Sequence, residues 1–264
     1  MRASLSWIAF VLASALPALA AQPLDDSSLP GTNRYDRCLA LVQRNAASAY
    51  DAATAWRNAD GGAAAAHCTA LALVALRRYG EAAAELDRLA QDPAVSGGAR
   101  RAELLDQAGN AWLLAGQPAN ADASFTSALA LVPGDPDLLA DRARAKGARK
   151  DWAGADKDLT AVLAGDPNRA DILVLRASAR HAQGRKAEAR ADIDSALAIY
   201  RDYPEALVER GEMKAETGDA AGALADWQRV LGVAPNGEAA RAAHEHIAQA
   251  QAPAQPTPAA PAKK

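Results

Sequence analysis

The sequence repeats with a period of 34 residues, and four copies align without a gap. They span 102–135, 136–169, 170–203 and 204–237. A fixed period of this length marks stacked supersecondary units, none of which can bury its apolar face alone. The columns recur by chemical type. Position 4 holds Leu105, Leu139, Leu173 and Leu207, and position 8 holds the small residues Gly109, Ala143, Ala177 and Gly211. Position 15 is glycine in three copies (Gly116, Gly184, Gly218), and position 20 is always alanine (Ala121, Ala155, Ala189, Ala223). Position 24 carries large apolar residues, Phe125, Leu159, Ile193 and Trp227, and position 27 carries Ala128, Val162, Ala196 and Val230.

Apolar residues three and four apart on both sides of a central glycine describe two amphipathic helices joined by a turn. Pro133, Pro167 and Pro235 close the second helix, as proline does just past a helix end. Alanine is roughly a quarter of the chain, well above ordinary usage, and it favours helices that approach closely. Aromatics are only 5%, too few for a β-sandwich or barrel, which draws on β-branched and aromatic residues.

This pattern resembles the tetratricopeptide repeat (TPR) family: a small residue at 8, glycine at 15, alanine at 20, a large apolar residue at 24, alanine at 27 and proline at 32. The resemblance implies an all-α, right-handed superhelical solenoid of antiparallel helix pairs. About six hairpins and a C-terminal capping helix are expected. Residues 170–203 depart most, with Arg201 in place of the proline, and their second helix is expected to run slightly long. Upstream the signal weakens. Residues 34–62 read as a divergent hairpin and 63–98 as a degenerate TPR-like repeat with its turn near Arg78–Gly80. Residues 238–250 suit a polar capping helix, which a solenoid needs at its end.

The termini differ from this core. Met1-Arg2, an apolar run from Leu5 to Leu16, Pro17 and Ala18-Leu19-Ala20 form a secretory signal peptide over 1–20. The run is too short for a membrane span, which needs about 20 apolar residues. Residues 21–33 read as a flexible extension and 251–264 as a disordered Ala/Pro-rich tail. The expected product is secreted across an inner membrane, most simply into a periplasm, with no membrane insertion after cleavage.

No catalytic constellation emerges, so the expectation is a non-enzyme without cofactor, metal or small-molecule substrate. His67 and His181 lie on separate repeats. His244 and His246 are two apart on a helix and point to different faces. No glycine-rich phosphate loop or nucleophile elbow has its strand. A net charge of −3 argues against nucleic acid as a partner.

Cys38 and Cys68 are the only cysteines. They stand in similar strings, CLALV and CTALAL, on the first helices of consecutive hairpins. In a TPR-like solenoid those helices are neighbours, and export favours a disulfide over two buried thiols. A second pairing comes from the columns. Position 7 is Arg142, Arg176 and Arg210, and position 23 is Asp158, Asp192 and Asp226. The copy at 102–135 lacks both, with Ala108 and Ser124. Structural ion pairs within each repeat are expected; the rival is each arginine with the preceding repeat's aspartate.

In the TPR family, positions 2, 5, 9 and 12 of the first helix point into a concave groove that holds a partner protein or peptide. Carried over, position 9 gives Asn110, Arg144, Ser178 and Glu212; position 5 gives Asp106, Val174 and Val208; position 12 gives His181. Position 2 is acidic throughout (Glu103, Asp137, Asp171, Glu205), which helix-dipole complementarity alone explains. The family's carboxylate clamp is not supported, because Glu212 opposes it. The resemblance thus implies a scaffold binding an unidentified protein or peptide on an apolar floor of Val174 and Val208, with Arg144 as anchor. The alternative is a structural or assembly subunit of an envelope complex.

Overall fold

The computed structural model describes residues 32–251. Among these it has 13 helices and no strand. They are α1 (Thr32–Arg44), α2 (Ala46–Asn58), α3 (Gly62–Ala75), α4 (Tyr79–Ala90), α5 (Gly98–Leu114), α6 (Pro118–Leu131) and α7 (Pro136–Ala148). The chain continues through α8 (Trp152–Gly165), α9 (Ala170–Ala182), α10 (Lys186–Ile199), α11 (Pro204–Glu216), α12 (Ala220–Val233) and α13 (Glu238–Gln251). Consecutive helices pack pairwise along the whole series, which makes six hairpins in a solenoid with α13 against α12 and α11. The signal peptide, most of the N-terminal extension and nearly all of the tail lie outside the described residues.

The apolar columns form the core. Phe125, Leu159, Ile193 and Trp227 are all buried, as are the four alanines at position 20. Burying each large side chain contributes roughly 1.5–3 kcal/mol relative to leaving it in water. Position 8 is matched to position 24 by volume. A Cβ added to Gly109 falls 2.5–2.8 Å from three ring atoms of Phe125, and one at Gly211 falls under 3.0 Å from the Trp227 indole. Where position 24 is aliphatic, in Leu159 and Ile193, position 8 is alanine. The glycine is therefore the space an aromatic knob requires.

The hairpin turns explain the glycine at position 15. Gly116, Gly184 and Gly218 have φ of 70°, 78° and 88°, the left-handed conformation that costs a glycine nothing. The next residue's N–H returns to the carbonyl five residues back, as from Gln117 to Trp112 and Asp219 to Lys214 (2.9 Å each), closing a Schellman motif. The second copy lacks the glycine, and Lys150 adopts the same turn at φ 65°. Two expectations are corrected. α10 ends at Ile199 and matches the 14 residues of α6, α8 and α12; the Arg201 exchange does not extend it, because Tyr200 already leaves the helix at φ −129°. α5 starts at Gly98, ahead of the 102–135 frame, because Gly97 at φ 88° turns the chain there.

At the N-terminal end, Cys38 on α1 and Cys68 on α3 are joined in a disulfide with their Cα atoms 6.3 Å apart. Beside it runs a buried polar chain. The Tyr35 hydroxyl lies 2.6 Å from His67 Nδ1, and His67 Nε2 lies 2.9 Å from Gln107 Oε1. With an amide oxygen at Nε2, that nitrogen carries the proton and Nδ1 accepts from the tyrosine. Burial holds the imidazole below its ordinary range, so it stays neutral. The chain links α1, α3 and α5, the first helices of three successive hairpins.

Candidate functional site

Two sets of polar side chains recur in the solenoid, one between the two helices of single hairpins and one across successive first helices. Within hairpins, Arg142 grips Asp158 with two bonds of 2.8 Å. Arg176 grips Asp192 at 3.0 and 2.7 Å, and Arg210 grips Asp226 at 2.9 and 2.7 Å. These are intra-repeat, forked contacts of the strong kind; the inter-repeat pairing with a preceding aspartate does not occur at these residues. Each aspartate also takes a second cation from position 11: Lys146 at 2.7 Å, Arg180 at 2.8 Å and Lys214 at 2.8 Å. Burial alone would raise the Asp226 carboxyl, but Arg210 and Lys214 outweigh it and hold it below the usual range.

The copy without this pair solves the same position differently. Trp112 occupies position 11 and donates its indole N–H to Asp87 Oδ2 at 2.7 Å, while Ser124 donates to Asp87 Oδ1 at 2.8 Å. The acid comes from α4 of the preceding hairpin. The basic column at position 11 was visible in the aligned copies; Asp87, outside the repeat frame, was not.

Across the first helices, the residues of the predicted groove divide into two groups. Val174 is 2% exposed, Val208 1% and Ser178 4%, so none of the three can touch a partner. The apolar floor is a correction: neighbouring first helices close over these side chains, which join the same core as Leu173 and Leu207. Ser178 instead donates its hydroxyl to the buried carboxyl of Glu209 on α11. That carboxyl is pushed up to about 8 by burial and by Glu212, with Glu216 adding to the effect and Ser178 opposing it.

Asp106, Asn110, Arg144, His181 and Glu212 remain at least partly open. Asn110 Nδ2 donates to Asp106 Oδ1 at 3.1 Å and reaches Asp141 Oδ2 at 3.4 Å. Arg144 pairs with Asp141. The Asp106 carboxyl is pushed up to about 7 by burial and then by Asp141, Asp135 and Asp137. His181 lies 2.9 Å from Glu216, which also takes Lys186 at 2.7 Å. Glu212 lies 2.6 Å from His246 on α13, whose ring stacks on Trp227 at 5.0 Å. Position 9 thus bonds forward to position 6 of the next hairpin, as in Asn110 to Asp141 and Ser178 to Glu209.

At the α3–α5 end of this face lies a small, mostly apolar pocket with room for about one water, lined by Leu71, Val74, Leu86, Ala111 and Leu114 together with Gln107 and Asn110. Among the described residues, no group of three or more histidine, cysteine or acidic side chains is placed to hold a metal ion. Nor is any helix there long and apolar enough to cross a membrane.

No protein-family model and no curated protein sequence matches the chain. Solved structures do. A tetratricopeptide repeat protein from Parabacteroides merdae aligns over 87% of this chain and 88% of its own at 15% identity, with a TM-score of 0.59. A thermophilic TPR protein of Thermus thermophilus aligns over 69% and 94% at 21% identity, with a TM-score of 0.54. YrrB, described as a TPR protein with an unusual peptide-binding site, aligns over 74% and 96% at 16% identity, with a TM-score of 0.53. Repeat columns, hairpin geometry and these likenesses agree: the chain has the tetratricopeptide-repeat fold.

Proposed function

We propose that this chain is an exported, non-catalytic scaffold that holds a segment of another protein against the face formed by its first helices. The observation that carries the reading is the open polar row Asp106, Asn110, Arg144 and His181, which runs across successive hairpins beside a small, mostly apolar pocket. The peptide-binding site named for YrrB, on the same fold, supports it. The Cys38–Cys68 bridge and the predicted signal peptide support an oxidising, extracytoplasmic setting such as a periplasm.

The test is site-specific crosslinking in the envelope with Asn110→Ala, Arg144→Ala and His181→Ala combined. Partner capture should fall while helicity stays near wild type, and Tm is followed alongside because Arg144 also pairs with Asp141 and His181 with Glu216. Unchanged capture refutes the groove reading. It would favour a structural subunit that makes contacts through the ends of its second helices, where Leu131 (40%), Tyr200 (61%) and Val233 (45%) stand exposed.

A further inference from the structure

We propose that the N-terminal end of the solenoid is an acid-sensitive joint: proton uptake by His67 loosens the α1–α2 hairpin from α3 and α5, while the Cys38–Cys68 bridge keeps it attached. The joint is built on one imidazole. His67 is 1% exposed, and both ring nitrogens are engaged, Nδ1 by the Tyr35 hydroxyl at 2.6 Å and Nε2 by Gln107 Oε1 at 2.9 Å. An uncharged ring satisfies this arrangement completely, because it offers one acceptor and one donor. A second proton, on Nδ1, turns the hydroxyl from donor to acceptor and leaves its hydrogen without the acceptor it has now. It also places a buried positive charge near Arg100 of α5, which already acts on the ring and whose buried Nη2 has no hydrogen-bond partner among the described residues. A buried charge without a counter-ion is strongly disfavoured.

The elements around α3 hold their charges elsewhere. Glu103 of α5 and Asp36 of α1 act on Tyr35, and Glu103 also takes Arg100. Arg34 of α1 lies over the Trp56 ring. Arg57 of α2 pairs with Glu85 of α4, and Asp87 of α4 accepts from Trp112 and Ser124. Proton uptake therefore requires the ring to reach water, which couples it to opening. The part that gives is the α1–α2 hairpin. Its apolar contacts form a small cluster apart from the two larger ones, with Trp56 and Tyr35 among Ala53, Ala64 and Ala65. Segments with few buried apolar contacts open at the lowest free energy. Cys38 lies three residues after Tyr35, and Cys68 is next to His67, so the bridge ties α1 to α3 where the polar chain parts. Burial holds the closed-state imidazole below its ordinary 6.5, so the opened state binds a proton that the closed state lacks. Closure is fully favoured above about 6.5 and loses tenfold per pH unit below it, for one proton. Glu209 acts with the opposite sign at α11, because its carboxyl, pushed up to about 8, keeps that end firm as pH falls.

The experiment is hydrogen exchange by mass spectrometry on the full chain with its disulfide intact, from about pH 6.5 down to about pH 5, where carboxylates begin to titrate. Each rate is divided by the intrinsic rate at that pH. Protection in α1 and α2 should fall about thirtyfold across the range, and protection in α11 and α12 should hold or rise. His67→Gln, which takes up no proton, should abolish the fall in α1 and α2. Nitrogen NMR of the wild-type chain with isotope-labelled histidine needs no variant: the closed-state ring should carry its proton on Nε2 alone throughout the range. A closed-state ring with both protons overturns the joint. So does an unchanged α1–α2 protection, a fall of the same size in folded His67→Gln, or an equal fall at both ends of the solenoid.

Discussion

Gly109 and Phe125 set a test of how each hairpin is packed. Adding one methyl at Gly109 places a carbon 2.5–2.8 Å from the Phe125 ring. Phe125 is fully buried in the cluster of Leu86, Leu105, Ala121 and Leu129, so the ring has nowhere to retreat. Overpacking of this kind costs about 1–3 kcal/mol. The gain in helix propensity from glycine to alanine offsets about 1 kcal/mol. Gly109→Ala alone should therefore cost up to about 2 kcal/mol. Phe125→Leu alone empties volume against the glycine and should cost on the order of 1–2 kcal/mol. Together they reproduce the Ala143–Leu159 combination that the next hairpin uses. The double variant should cost less than either single change, with a coupling energy of about 2 kcal/mol. Urea unfolding of the four proteins, followed by circular dichroism, gives the cycle. Effects that add within about 0.5 kcal/mol refute the volume-matching argument.

Three further outcomes follow from the ion pairs, the buried carboxyl and the disulfide. Asp158→Ala leaves Arg142 and Lys146 facing a half-buried gap and should cost about 3 kcal/mol, whereas Arg149→Ala, on a half-exposed partner of Asp122, should cost less than about 1 kcal/mol; equal losses in urea unfolding would refute the distinction. Glu209 keeps its proton up to about 8 against an ordinary 4.5, because of burial and its neighbour Glu212. The folded chain therefore holds a proton the unfolded chain has lost, and stability should fall as pH rises between about 5 and 8, a slope that Glu209→Gln should flatten in unfolding titrations and that parallel curves would deny. Cys38→Ser with Cys68→Ser removes a link across 30 residues worth roughly 3–4 kcal/mol in the chain-entropy account; hydrogen exchange should quicken in α1–α3 and stay unchanged in α9–α12, and uniform quickening would refute a local role.

The architecture was legible because every hairpin must solve the same packing problem, so its solution recurs in the sequence. The knobs, the small residues opposite them and the turn glycines are of this kind. So are Arg142–Asp158, Arg176–Asp192 and Arg210–Asp226, which appear and vanish as pairs. What stayed hidden depends on contacts between hairpins. Position 6 reads Gln107, Asp141, Leu175 and Glu209, a column with no common chemistry. Gln107 is set by His67, and Glu209 by Ser178, partners a hairpin or more away. Val174 and Val208 look like groove floor by position, but whether adjacent first helices close over them depends on how tightly the hairpins stack. The tilt and spacing of neighbouring hairpins are tertiary quantities that a repeat frame does not encode.

Recurring columns are occupied by what all hairpins need, and substitutions there should register as lost stability. Columns that vary, positions 9 and 12 above all, are free of that shared demand and can differ from one hairpin to the next. A surface that recognises one particular partner needs such differences, because four identical hairpins would present the same contact four times. Yet freedom at those columns is incomplete here. Ser178 sits at position 9 and is fully engaged with Glu209, and Glu212 is engaged with His246. Toward the C-terminal end the varying residues are thus bound to one another, which stiffens that end of the face. Toward α5 and α7 the row is bonded as well, with Asn110 donating to Asp106 and reaching Asp141, and Arg144 pairing with Asp141. A partner that docks on this face therefore meets side chains already held in place by one another, so it has little ordering entropy to offset.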